Sequence, residues 1–171
     1  METNDPIARL ARQIEATKKA EHLRVDAGAI HEVRRKGAGE VHRICAEFVA
    51  AVNGRLSSTQ LELSPADYGS DSFRPTGANV IQIGSQGRTM QIVFEAPNEL
   101  VSTEKFLIPY VLEGEVRAYN QKMLERSEIR SRALYYCVEN ETASWRYYDW
   151  RTLSTGVLTS EVLARLMEPL F

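Results

Sequence analysis

Residues 80–95, with the sequence VIQIGSQGRTMQIVFE, predict a β-hairpin. Apolar and polar side chains alternate on both sides of the central GSQG, and alternation by two is the period of a strand buried on one face. The glycines of this central segment favour the tight turn that joins antiparallel strands. We therefore expect an antiparallel sheet.

Strand patterns also occur on both sides of this hairpin. The candidate segments are residues 60–64, 106–119, 129–138 and 145–150. Pro109 and Gly114 indicate an edge, bulge or bend inside the longest segment. Residues 149–156 are interpreted as a tight turn that follows the last strand. Because consecutive strands usually lie side by side, we expect five or six strands in an antiparallel meander.

Helical spacing dominates before residue 57 and returns at the end of the chain. Asp5 and Pro6 predict the start of a first helix, and the cations and glycines of RRKGAG (34–39) predict its end near Lys36. A second helix is predicted over residues 41–52, followed by Asn-Gly. Thr159 is suited to cap a short last helix.

These elements predict an α+β fold. An N-terminal helical arm of two helices, residues 1–56, precedes an antiparallel sheet with a short C-terminal helix, residues 57–171. We expect the two segments to form one globular domain in total.

The composition is that of a globular protein, with 43% apolar and 26% charged residues in 171. A net charge of −2 argues against a dedicated nucleic-acid binder. The N-terminus has no secretory pattern, and no run of about 18 apolar residues occurs. Cys45 and Cys137 are interpreted as reduced, buried thiols, and we expect a cytoplasmic protein without a membrane segment.

Motifs for catalysis, cofactors or metals are not found. His42 and Cys45 share a helical face, but they supply only half of a zinc ligand set. We expect Cys45 in the core and the histidines on solvated or inter-helix surfaces. The segment GSQG (84–87) lacks the spacing of a serine-hydrolase nucleophile, and no phosphate-binding glycine loop occurs. The sequence therefore predicts no catalytic, cofactor-binding or metal-binding residue.

Charged residues alternate along two of the predicted strands. Glu113, Glu115 and Arg117 lie on one face of the first. Arg130 and Arg132 lie on one face of another and are expected to pair across to them. We interpret this set as a solvated charge ladder rather than as an acid/base pair.

Aromatic residues are concentrated in two strands joined by a polar turn. Because alternate members share a face, one set is expected to build the core and the other to face a partner protein. The predicted partner-binding residues are Tyr136, Arg146, Tyr148 and Trp150.

The first helix carries a thin apolar stripe that can bury little surface within its own domain. We therefore expect homodimerisation through residues 6–36. The residues predicted to mediate self-association are Ile7, Leu10, Ile14, Leu23 and Ile30.

The resulting hypothesis is a non-enzymatic protein-interaction module, either an adaptor or a chaperone-like dimer. A first alternative is a small-ligand-binding or catalytic domain that uses Tyr110, Tyr119 and the Glu113/Glu115 pair on the concave side of the sheet. A second is weak nucleic-acid binding by the basic arm. Its candidate residues are Lys18, Lys19, Arg24, Arg34, Arg35 and Lys36.

Overall fold

A computed structural model describes residues 5–24, 27–58 and 60–171, without the side chains of residues 19–24. Its helices are α1 (Pro6–Arg24), α2 (Ala27–Asn53), α3 (Gln121–Glu125), α4 (Ser160–Met167) and a final 3-10 turn (Glu168–Leu170). Its strands are β1 (Glu62–Ser64), β2 (Asn79–Ser85), β3 (Arg88–Glu95), β4 (Tyr110–Tyr119), β5 (Arg130–Glu139), β6 (Thr142–Asp149) and β7 (Ser154–Val157). None of the helices in this part of the chain combines the length and apolar composition needed to span a bilayer.

The described strands form one seven-stranded sheet in which each pairs antiparallel with its neighbours in sequence, in the order β1 to β7. The predicted α+β class and meander are confirmed. The sheet has one strand more than the upper prediction, because residues 154–157 pair with β6 instead of belonging wholly to a turn.

The core lies between α2 and one face of the sheet, here called the helix face. Alternate residues of every central strand point into it, and α4 packs beside α2. The largest fully buried side chains in this layer include Ile81, Ile83, Met90, Ile92, Phe94, Leu112, Leu134, Trp145 and Leu163. Since α2 and α4 contribute to the same apolar cluster as the sheet, burial of apolar area couples the three parts.

The predicted boundary between the first two helices is wrong. The helix α2 begins at Ala27 and continues through Gly37 and Gly39 to Asn53, so no helix ends near Lys36. Gly37 is a close-packing site rather than a helix end, because a Cβ there would overlap the Tyr136 ring. The indole nitrogen of Trp145 also donates a hydrogen bond to the Gly37 carbonyl oxygen at 2.7 Å.

Residues 106–109 do not form the predicted strand. They belong to a loop, residues 96–109. Its first part packs against α2 and the helix-face core through Leu100 and Val101, and its later part places Phe106 on the second face of the sheet, opposite α2. The backbones of Ser102 and Tyr110 exchange two hydrogen bonds of 2.9 and 3.0 Å, which anchors the loop to the start of β4. Phe106 then stacks on Tyr135, with 4.6 Å between ring centroids. The apolar alternation of this segment therefore reflects burial without strand pairing.

Candidate functional site

The second face carries a row of side chains that crosses five strands. Register places Glu95 opposite Glu113, then Tyr135, Arg146 and finally Val157 on β7. Side chains at directly paired positions of a sheet lie on the same face. The row therefore passes from two acidic residues, through a tyrosine, to a basic residue beside the sheet edge.

An aromatic stack lies along this row and extends to the surface. Tyr110 contacts Tyr135 at 4.8 Å between ring centroids, and Tyr135 contacts Phe106. Phe106 meets Tyr148 at 6.1 Å, and Tyr148 meets Trp150 edge-on at 4.7 Å. Tyr110 is fully buried, whereas Trp150 is 64% exposed. Offset and edge-on aromatic contacts of this kind are individually favourable, so the exposed indole is held by a packed support.

Two exposed apolar side chains lie in the β6–β7 turn, and a third lies at the far end of β7. Trp150, Leu153 and Val157 are 64%, 70% and 49% exposed, respectively. We call these three residues the β7 rim. Large apolar side chains exposed together are characteristic of binding surfaces.

Asp149 stabilises the β6–β7 turn, which carries Trp150 and Leu153. Its buried carboxylate accepts hydrogen bonds from the Arg151 amide at 3.0 Å and the Thr152 hydroxyl at 2.9 Å, and it forms a 3.3 Å ion pair with Arg132. Burial alone would raise the pKa of Asp149, but these hydrogen bonds and the Arg132 charge outweigh it and lower the pKa.

The expected pairing of Arg130 and Arg132 with the acidic ladder is not found. Glu113 and Glu115 lie opposite Tyr135 and Ala133, so the two arginines point to the other side of β5. The ladder instead contains one ion pair of its own. Glu115 pairs with Arg117 along the strand.

An open depression of about 360 Å³ lies on the acidic side of the row. Its lining includes Glu95, Lys105, Glu113, Glu115, Arg117 and Tyr135. The Lys105 ammonium lies 3.3 Å from the Glu113 carboxylate, and the charge of Glu113 raises the pKa of Lys105. Burial raises the pKa of Tyr135 to about 12, so its phenol is neutral at physiological pH.

The ligand-binding alternative is only partly assembled at this depression. Glu113 and Glu115 line it, but Tyr110 and Tyr119 do not. The Tyr110 hydroxyl instead accepts hydrogen bonds from the Ser102 hydroxyl and the Lys105 amide, at 3.3 and 3.1 Å. Small-ligand binding or catalysis therefore stays a prediction.

The four predicted partner-binding residues do not share one surface. Arg146 and Tyr148 lie on the second face, and Trp150 contacts Tyr148. Tyr136 is 4% exposed and packs in the helix-face core against Trp145 and Gly37. The prediction that Tyr136 belongs to the partner-binding surface is wrong, because the register puts Tyr135 and not Tyr136 on the face of Arg146.

The predicted self-association residues separate into an exposed and a buried group. Ile7, Leu10 and Ile14 are 78%, 56% and 52% exposed on α1. Ile30 is 2% exposed and belongs to the helix-face core, so the prediction that it mediates self-association is wrong. The Leu23 side chain lies outside the described residues.

Two of the candidate nucleic-acid residues, Arg34 and Arg35, make contacts within the protein. The Arg34 guanidinium donates to the carbonyl oxygens of Val111, Glu99 and Leu100 at 3.0–3.1 Å, and thereby ties α2 to the 96–109 loop and β4. Arg35 contacts Glu32 and His31.

Lys18 and Lys36 are exposed, and the side chains of Lys19 and Arg24 lie outside the described residues. Partial burial lowers the pKa of Arg34, as expected for a cation with a structural role in packing. Weak nucleic-acid binding stays a prediction.

The cysteines and His42 are buried. Cys45 and Cys137 are free thiols whose pKa is raised to about 12 by burial. The expectation that His42 lies on a solvated or inter-helix surface is wrong, because His42 is buried against a loop: its Nε2 lies 2.8 Å from the Pro65 carbonyl oxygen and its ring stacks on Tyr68. Within the described residues, no group of three or more His, Cys, Asp or Glu side chains is arranged to hold a metal.

Comparison of this chain with protein-family models, curated proteins and solved structures finds no match.

Sequence reasoning missed four residues of these surfaces: Glu95, Lys105, Leu153 and Val157. Glu95 could have been found from the register that continues the hairpin into β4, which pairs it with Glu113. Val157 lies in a strand too short to show a period of two, and Lys105 reaches Glu113 from an irregular loop.

Proposed function

We propose that this protein is a non-enzymatic protein-interaction module, adaptor or chaperone-like, that binds another protein through Trp150 and its neighbours and forms a homodimer through α1. A cytoplasmic location belongs to the same proposal and agrees with two free, buried cysteines.

The observation that carries the proposal is the exposure of Trp150 on a packed aromatic support. Its indole is 64% exposed and contacts Tyr148, while Leu153 adds apolar surface in the same turn and Val157 adds it at the end of β7. Arg146 supplies a cation on the same face as Tyr148. Tryptophan, tyrosine and arginine are the residues that most often dominate the energetics of protein interfaces.

The partner surface is tested by quantitative capture from the native cell with wild type and Trp150→Ala. Leu124→Ala is the matched control, because Leu124 is an exposed apolar residue on α3. We expect one defined protein to be retained by wild type and the control and lost with Trp150→Ala. Identical sets of captured proteins for all three would refute the surface.

Self-association is supported by the exposed seam of α1. Ile7, Leu10 and Ile14 recur at i, i+3 and i+7, and Ala16 is the only buried side chain among those described in this helix. A single helix of this length is marginal in water without tertiary packing, and the seam matches the spacing of a helix pair. A second copy of α1 would cover it.

The homodimer is tested by sedimentation velocity across about 1–100 μM. We expect wild type to sediment as a dimer at the upper concentrations, and Leu10→Lys to sediment as a monomer because a charge would enter the seam. Leu124→Lys places the same charge on α3 and should leave the dimer intact. Monomeric wild type throughout the series would exclude this proposal.

A further inference from the structure

The two edges of the sheet differ in how they are protected. The β1 edge is three residues long, carries exposed Glu62 and is followed directly by Pro65. Shortness, charge and proline all oppose the pairing of another strand. The β7 edge reads Ser-Thr-Gly-Val, without charge or proline, and pairs with β6 in unbroken register. β7 is therefore the edge open to an added strand.

The outward backbone groups of β7 can be assigned from its pairing with β6. The Leu158 amide donates to the Trp145 carbonyl oxygen at 2.9 Å, which makes these residues a hydrogen-bonded pair. Bonded and non-bonded pairs alternate along antiparallel strands. Gly156 is then the next bonded position, and Thr155 and Val157 direct their N–H and C=O groups away from β6. Their spacing of two residues is the repeat with which an incoming strand pairs.

Side chains beside these outward groups define what an added strand would meet. Val157 is paired with Arg146, and Thr155 is paired with Tyr148, the ring that supports Trp150. Within the described residues, Arg146 forms no ion pair with a carboxylate. An acidic side chain next to Val157 would complement Arg146, and an apolar one next to Thr155 would pack against Trp150.

We propose that the partner binds as an extra β-strand on the outer edge of β7, through an extended segment that carries an acidic and an apolar side chain two residues apart. This inference rests on the proposed function and gives it a binding mode. Backbone hydrogen bonds from Thr155 and Val157 provide the pairing, and Arg146 and Trp150 provide the selectivity.

The segment belongs to a different protein rather than to a second copy of this chain. The α1 seam already provides one self-complementary interface in the proposed dimer. A second isologous interface closes only if its two-fold axis is perpendicular to that of α1, and β7 of a second copy would offer no acidic side chain to Arg146.

The probe is a phage-displayed library of random dodecapeptides panned on the full-length protein. We expect enriched peptides to share the acidic and apolar pair at a spacing of two. Val157→Pro removes one outward N–H and keeps the inward bonds to β6, so it should weaken binding of an enriched peptide by about tenfold. Val157→Thr keeps the N–H and the branched side chain, and should leave binding unchanged within about twofold.

A second readout uses the wild-type protein and so does not depend on how a variant folds. Amide hydrogen exchange followed by NMR should slow at Thr155 and Val157 when the enriched peptide binds. The Gly156 amide already bonds to β6, and its exchange should change less.

Several outcomes would overturn strand addition: no enriched peptide, unchanged exchange at Thr155 and Val157, or equal binding by Val157→Pro. A peptide that needs Trp150 but does not protect these amides would refute the binding mode and leave the proposed function standing. Protection of the same amides in concentrated protein without peptide, lost in Val157→Pro, would instead assign the edge to a second copy.

Discussion

Gly37 and Gly39 lie two residues apart in α2 but have different surroundings. A Cβ on Gly37 would overlap the Tyr136 ring, whereas no described atom outside the backbone of α2 lies within 4 Å of a Cβ on Gly39. We expect Gly37→Ala to lower the free energy of unfolding by about 1–3 kcal/mol through overpacking. Gly39→Ala should raise it by about 0.5–1 kcal/mol, because alanine loses less backbone entropy in a helix. Urea unfolding of the two variants measures both changes in the free energy of unfolding. Changes of the same sign would contradict this account of Gly37.

The same glycine shows where local rules fail. Cations followed by glycines are typical of a helix end, and that pattern placed the end of the first helix near Lys36. The helix continues because Tyr136 packs onto the bare backbone at Gly37 and Trp145 bonds to its carbonyl. Both partners come from distant strands, so no local pattern around residue 37 contains this information.

Tyr135 is a different case, because the sequence did contain the necessary signal. The β5–β6 turn has an even number of residues, so odd positions on β5 pair with even positions on β6. That parity puts Tyr135, rather than Tyr136, on the face of Arg146 and Tyr148. Applying the register of the turn would have corrected the predicted surface.

Among the elements, apolar alternation predicted six of the seven described strands, because each of these six buries one face. It failed at residues 106–109, where Phe106 is buried by stacking on Tyr135 and not by pairing within the sheet. It also missed β7, whose four residues include Gly156 and show no clear apolar period. Periodicity reports burial, and strand pairing is a separate property.

The β6–β7 turn should have a pH-dependent stability through Asp149. Its folded-state pKa is lowered, so its stabilising effect is complete above the unfolded-state pKa of about 3.9 and is lost as the pH falls through the folded-state value. We expect Asp149→Asn to cost about 1–2 kcal/mol at neutral pH. Chemical denaturation should show this difference shrinking below a pH of about 4.

Thr152→Ala removes one hydrogen bond to the same carboxylate and serves as a partial control. It should reproduce part of the Asp149→Asn loss over the same pH range. A loss in Asp149→Asn that persists undiminished to a pH of about 2 would contradict the assigned role of the charge.

At the scale of the whole molecule, we expect one cooperative unfolding transition. Cys45 reports on α2 in the helix-face core, and Cys137 reports on the aromatic cluster of the second face. Both thiols are buried with a pKa raised to about 12, so they should resist alkylation while folded. We expect pulsed iodoacetamide labelling along a urea gradient, read by mass spectrometry, to give the same unfolding midpoint for Cys45 and Cys137.

Labelling of Cys137 at a lower urea concentration than Cys45 would show that the second face unfolds separately. That result would argue against a single globular domain. Labelling of the fully denatured chain controls for the intrinsic reactivity of each site. Coincident midpoints would agree with the single-domain expectation, which followed from the ordinary size and composition of the chain.

The contact between Trp145 and Gly37 also constrains how the protein is made. A ribosome completes α2 before it adds β4, β6 and α4, which are among the elements that pack on this helix. During that interval the nascent chain carries an uncovered apolar helix, which is the kind of segment that molecular chaperones retain. A message truncated just before α4 would yield a product in which the part of α2 that contacts α4 stays exposed, and we expect cellular proteases to degrade it faster than the full chain.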